Sequence, residues 1–72
     1  MGVSYKPLRH TLVDKDLVIG DLRDEKGANL NSSTVTRINK DEYISLQSIE
    51  QICRYLNCRI EDVVEIVLSE DL

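Results

Sequence analysis

The sequence predicts an all-α fold of five helices, and three observations predict it. Apolar residues recur at spacings of three and four through most of the 72 residues, which is helical rather than strand period. Residues suited to capping, such as Ser4, Asn31 and Ser45, stand just ahead of those apolar stripes. Hydrophobic residues make up 42% and charged residues 31%, a composition that supports a folded core rather than a disordered tail. The chain is expected to form one domain over residues 1–72. With three Tyr and no Phe or Trp, its core must be built from Leu, Ile and Val.

The first helix is expected over residues 5–15, where Tyr5, Leu8, Leu12 and Val13 share a face. Ser4 precedes it as a cap, and Pro7 sits in the first turn, where its missing N–H breaks no helical bond. A second helix is expected over 19–26, with Leu22 inward and Gly27 leaving it in a left-handed conformation. After the loop Gly27-Ala28-Asn29-Leu30, Asn31 caps a third helix over 32–39 whose inward residues are Val35 and Ile38. The fourth, over 45–57, carries the stripe Leu46, Ile49, Ile52, Cys53 and Leu56 behind the cap Ser45, and Asn57 closes it. A fifth is expected over 60–66, although its β-branched richness leaves a strand open for 64–68. The expected core is Leu8, Leu12, Leu22, Val35, Ile38, Leu46, Ile49, Ile52, Cys53, Leu56, Ile60 and Val63.

Several function classes find no support. No apolar run approaches the ~18 residues that span a bilayer, and no secretory signal pattern opens the sequence, so a cytoplasmic protein with no membrane association is expected. Cys53 and Cys58 lie five apart with only His10 to complete a site, so no metal, cofactor or disulfide is expected and both thiols read as small apolar groups. His10 has no nucleophile paired with it by pattern, and Glu61, Asp62 and Glu65 lack the alternating ligands and central Gly of a calcium loop. Enzymatic activity is not expected, nor is a small-molecule effector. The net charge is −4, but unevenly spread: residues 1–40 hold seven Lys/Arg against five Asp/Glu, and residues 41–72 hold two against eight. Local field matters more for docking than the total.

The informative stretch is Leu22–Ile38, two short helices around a Gly-containing turn. The second opens with small hydrogen-bonding residues, as a helix entering the DNA major groove needs a slim polar leading end and an apolar rear. Ser32, Ser33, Thr34, Thr36 and Arg37 are expected outside, Val35 and Ile38 inside.

The segment Leu30-Asn31-Ser32-Ser33-Thr34-Val35-Thr36-Arg37-Ile38 resembles the recognition helix of lambda-repressor-like, Xre-type regulators, with their pattern Gly-(Ile/Leu)-Ser-x-x-Thr-(Ile/Val)-x-Arg-(Ile/Leu). Leu46 through Cys58 is similar to the fourth helix of a small Xre subgroup carrying Leu-x-x-Ile-Cys-x-x-Leu-x-Cys; Asp62 before Val63-Val64 and the opening Tyr5-Lys6-Pro7-Leu8 are similar too. The resemblance implies a compact five-helix lambda-repressor-like domain with its helix-turn-helix over about residues 19–40. It implies a sequence-specific transcriptional regulator, a repressor, binding double-stranded DNA as a homodimer through Ser32, Ser33, Thr34, Thr36, Arg37, Asn39 and Lys40. Ser32 and Ser33 would face bases, and Lys40, or Asn39 one register away, would meet a phosphate. The chain departs from the pattern in two places. Its turn carries about two residues more than the short turns usual in such motifs, and Val18 and Ile19 stand where the family has a hydroxyl cap and a Gln. The alternative expectation is a protein-interaction module or antitoxin-like partner that keeps the fold without strong DNA binding, its acidic second half meeting a basic protein. The apolar Ile66-Val67-Leu68 either makes a subunit contact or packs back on the first helix.

Overall fold

The computed structural model describes residues 2–68. The element order is β1 (Gly2–Ser4), α1 (Lys6–Asp14), a first 3-10 helix (Ile19–Arg23), α2 (Ser32–Asn39), α3 (Leu46–Leu56), a second 3-10 helix (Ile60–Asp62) and β2 (Glu65–Val67). Among the described residues the five-helix expectation is therefore corrected to three α-helices, two short 3-10 helices and a two-stranded antiparallel sheet pairing Gly2 with Val67, Val3 with Ile66 and Ser4 with Glu65.

α2 and α3 form where local chemistry dictates. Asn31 accepts the Thr34 N–H at 2.8 Å and Ser45 accepts the Ser48 N–H at 3.1 Å, each satisfying one of the amides a helix start leaves free. α3 ends at Asn57, whose φ of 53° is left-handed, and the Cys58 N–H donates to the Cys53 carbonyl at 3.1 Å. That is the six-residue closure of a Schellman motif, whose usual apolar contact joins the residues at its two ends. Here those residues are Cys53 and Cys58, both half-buried free thiols, which accounts for their spacing of five.

α1 begins differently. Its N-cap is Tyr5, with no side-chain cap, so Ser4 does not cap it in the expected way; the Ser4 hydroxyl instead accepts the Lys6 N–H at 3.2 Å. Leu8 N–H donates to the Val63 carbonyl at 3.1 Å and the Thr11 hydroxyl to the Asp62 carbonyl at 2.8 Å. These bonds strap the second 3-10 helix across the start of α1. They also end the fifth helix early: with Val63 turned into the core and β1 at hand, the β-branched tail extends as β2 instead of continuing as helix.

The expected helix 19–26 shortens to a 3-10 helix because Asp24 leaves it in an extended conformation. The Asp24 carboxylate accepts the Lys26 N–H at 3.0 Å, and its carbonyl accepts the N–H groups of Gly27 and Asn29. Asn29, not Gly27, is the left-handed residue, with φ 56°. Gly27 is required for space: a Cβ there would collide with the Asp21 carbonyl oxygen and press on the Tyr55 ring. The loop is plugged into the interior by Ala28 and Leu30.

The core joins Tyr5, Leu8 and Leu12 of the α1 region to Leu22, Ala28, Leu30, Val35, Ile38, Ile49, Ile52, Leu56 and Val63. Two expected core residues are corrected: Leu46 is 75% exposed and Ile60 47%. Each opens its element, where one side faces solvent. Cys53 is half-buried at the core's margin, and Val13 lies outside it. Among the described residues no helix is long and apolar enough to cross a membrane, and no three His, Cys, Asp or Glu side chains are grouped to hold a metal ion.

Candidate nucleic-acid interface

α2 is eight residues long and carries no acidic side chain. Successive residues of a helix are rotated by about 100°, so burying Thr34, Val35 and Ile38 turns Ser32, Ser33, Thr36, Arg37 and the C-cap Lys40 outward together, and all five are exposed. The face is polar and cationic. Ser33 donates its hydroxyl to the Asn31 carboxamide oxygen at 2.8 Å, and Thr36 donates to the Ser32 carbonyl at 2.9 Å. Both hydroxyl protons are thus engaged locally, leaving oxygen lone pairs, and the Thr36 methyl, for whatever approaches.

Two of the seven expected site residues lie elsewhere. Thr34 is 8% exposed and packs with the core; its place opposite the outward face corrects the expectation that it lies on the outside of the helix. Asn39 is exposed but sits on the flank of α2 that faces α1. There it rims a shallow groove of about 310 Å³ with Arg9, Leu12, Val13, Leu17, Val18 and Ile19. At the start of the first 3-10 helix, where the hydroxyl cap is missing, the Asp21 carboxylate accepts the Val18 N–H at 2.9 Å.

The side chains that hold α2 were not found as site residues from the sequence. Asp41 follows the C-cap with a left-handed φ of 55° and accepts the Tyr5 backbone N–H at 3.0 Å. Arg9 lies 3.5 Å from the same carboxylate oxygen and reaches the Ile38 carbonyl at 3.4 Å. The buried Tyr5 donates its hydroxyl to the Glu42 carbonyl at 2.7 Å. Burial raises the Tyr5 pKa, the Ile44 backbone partly opposes this, and the Asp41 carboxylate adds to it. The phenol therefore keeps the proton it donates. Only Tyr5 had a sequence signal, as a member of the apolar face of α1; the contacts of Arg9 and Asp41 span about thirty residues and leave no local pattern.

The fold as a whole is similar to that of a known protein. The crystal structure of the transcriptional regulator VanUg is similar to this chain, with a TM-score of 0.86 and 35% sequence identity over 94% of this chain and 88% of that one. None of the curated proteins matches. Residues 7–69, from the start of α1 to just beyond β2, match a family of DNA-binding domains. The chain belongs to the Cro/C1-type HTH DNA-binding domain family.

Proposed function

We propose that this chain is a sequence-specific DNA-binding transcriptional regulator, acting as one domain over residues 1–72, which places α2 in the major groove and represses by occupying its site. The observation that supports it is the outward face of α2: Ser32, Ser33, Thr36, Arg37 and Lys40 are exposed together on a helix without a carboxylate. In this reading Ser32 and Ser33 meet base edges. Lys40 meets a phosphate, with Asn39 at the margin, and Arg37 shares both tasks. Thr34 holds the helix to the core instead. Repression asks for site occupancy alone, which a DNA-binding domain provides; activation needs a further surface for the transcription machinery.

The test is a salt-dependent binding series on random duplex and on a duplex selected from a random pool. Lys40→Ala is expected to weaken binding to both alike and to reduce the salt slope by about one unit. Ser33→Ala is expected to cost about 1–3 kcal/mol on the selected site only. A parent protein with no affinity for any duplex at low salt rejects the reading. The second reading, an acidic module for a basic protein partner, is supported by the exposed Glu61, Asp62 and Glu65, and would then stand in its place.

A further inference from the structure

The contacts beyond the C-terminus of α2 form a clasp that the proposed DNA reading does not itself require. Asp41 is held in a left-handed conformation that non-glycine residues adopt infrequently. It is fixed from outside the helix-turn-helix, by the Tyr5 N–H at 3.0 Å and by Arg9 at 3.5 Å. Tyr5 takes hold a second time through its hydroxyl on the Glu42 carbonyl at 2.7 Å, and the Glu42 N–H donates back to the Arg37 carbonyl at 2.8 Å. The Arg37 and Ile38 carbonyls, among those a helix C-terminus leaves without intrahelical partners, are therefore engaged by the turn and by Arg9.

α2 is thus anchored at both ends by different parts of the chain. Its N-terminus is set by Asn31 and the plugged loop; its C-terminus is set by the start of α1. A helix of eight residues tied at one end only would pivot, and readout of base edges requires placement within a fraction of an ångström. The Arg9–Asp41 pair is about two-fifths exposed on both sides, and such pairs add little stability. A carboxylate beside Arg37 and Lys40 also works against attraction to phosphate. The clasp gains nothing in affinity from this charge; what it supplies is position.

We infer that Asp41, with Tyr5 and Arg9, is a positioning device for DNA reading: it fixes the angle of α2 against α1, and so contributes to discrimination between sites while opposing general attraction to DNA. This rests on the reading of α2 as the recognition element.

The two effects have opposite signs, which a merely structural role does not produce. Asp41→Gly keeps the left-handed backbone and removes the carboxylate that the Tyr5 N–H and Arg9 hold, leaving the Tyr5 hydroxyl bond in place. Tyr5→Phe cuts the hydroxyl bond with no change of charge. Glu50→Gln removes one negative charge from an exposed pair with Arg54 on α3, away from the clasp. The measurements are affinity for a selected and a random duplex by fluorescence anisotropy with the full chain, and amide hydrogen exchange of each protein without DNA. Asp41→Gly is expected to lower the selected-to-random ratio by about tenfold, within the span of single-site specificity losses, and to leave random-duplex affinity equal or higher. Tyr5→Phe is expected to lower the ratio without that rise, and Glu50→Gln to leave the ratio unchanged. Exchange should quicken at Arg37–Lys40 in both clasp variants and stay unchanged in α3. An unchanged ratio in both folded clasp variants overturns the inference, as does unaltered exchange at the end of α2. Should the parent bind no duplex, the DNA reading fails by itself, and exchange alone then decides whether the clasp fixes α2.

Discussion

At the scale of single residues, two side chains of similar sequence character have opposite weight. Ile52 and Leu46 both lie on the apolar stripe of α3, yet Ile52 is fully buried and Leu46 is 75% exposed. Ile52→Ala removes methylenes from a close-packed site and is expected to cost about 2–5 kcal/mol. Leu46→Ala is expected to stay within about 0.5 kcal/mol of the parent. Urea denaturation of both variants checks the pair, and equal losses would show that the core does not end where described. Cys58 is a second case. Burial pushes its thiol up to about 11, with Cys53 and Asp62 adding to the rise and Lys15 opposing it. A raised folded-state value means that the neutral thiol's contribution is complete below the ordinary thiol range and is lost as pH rises from about 9 towards 11. At neutral pH the thiolate needed for alkylation is scarce. Cys58 is therefore expected to react with iodoacetamide at least about tenfold more slowly in the folded protein than in urea, read by mass spectrometry. Equal rates would mean that the burial of the Cys58 thiol does not persist in solution.

At the scale of elements, the loop before α2 gives the sharpest test. Gly27 has no positive φ, so by backbone conformation alone Gly27→Ala would be expected to stabilise the protein by restricting the unfolded chain. The added Cβ, however, meets the backbone carbonyl of Asp21, which no side-chain rotation relieves. Gly27→Ala is therefore expected to destabilise, by about 1–3 kcal/mol as overpacking does, and a raised melting temperature would reject the close approach. The same loop shows what was legible in the sequence. Asn31, Ser45 and Asn57 act on groups within five residues of themselves, and their roles at the ends of α2 and α3 were readable. The outward placement of Ser32, Ser33, Thr36 and Arg37 was readable from their polar character against the inward Val35 and Ile38, while Lys40 was singled out only by the family resemblance. β2 was legible only as the strand that β-branched richness left open for 64–68, and β1 not at all: each has three residues, too short to establish a period of two, and they pair across some sixty residues. The start of α1 was misread for the same reason, since Ser4 serves only the Lys6 N–H while distant Asp41 and Val63 take those of Tyr5 and Leu8. Thr34 was misplaced because a threonine in a polar run gives no sign that it will pack inward.

At the scale of the whole molecule, the first and last strands meet in a ribbon that, among the described residues, leaves one edge of each strand unpaired. Two-stranded sheets are marginal by themselves, and open edges invite a further strand. Ile66 within this ribbon is 64% exposed and Leu68 just beyond it 69%; the pairing of β2 with β1 is neither of the two roles expected for the tail, and it leaves these side chains uncovered. We propose that β2 of a second copy completes the sheet, giving a homodimer whose recognition helices can address half-sites about 34 Å apart. The two associations then respond to salt in opposite directions. DNA binding weakens with salt as counterions are no longer released to advantage. Dimerisation brings together two chains that each carry a net charge of −4, so screening favours it. Sedimentation of the free protein is expected to shift towards dimer between about 50 and 500 mM salt, a range over which screening of exposed charges becomes strong. Ile66→Lys, which adds charge to the exposed apolar face, is expected to abolish that shift and to remove cooperative binding to a duplex with two half-sites, leaving affinity for a single half-site within about twofold of the parent (under 0.5 kcal/mol). A parent that stays monomeric at every salt and binds two half-sites independently rejects the ribbon as a subunit interface, and leaves Ile66 and Leu68 as solvated residues at the edge of a two-stranded sheet.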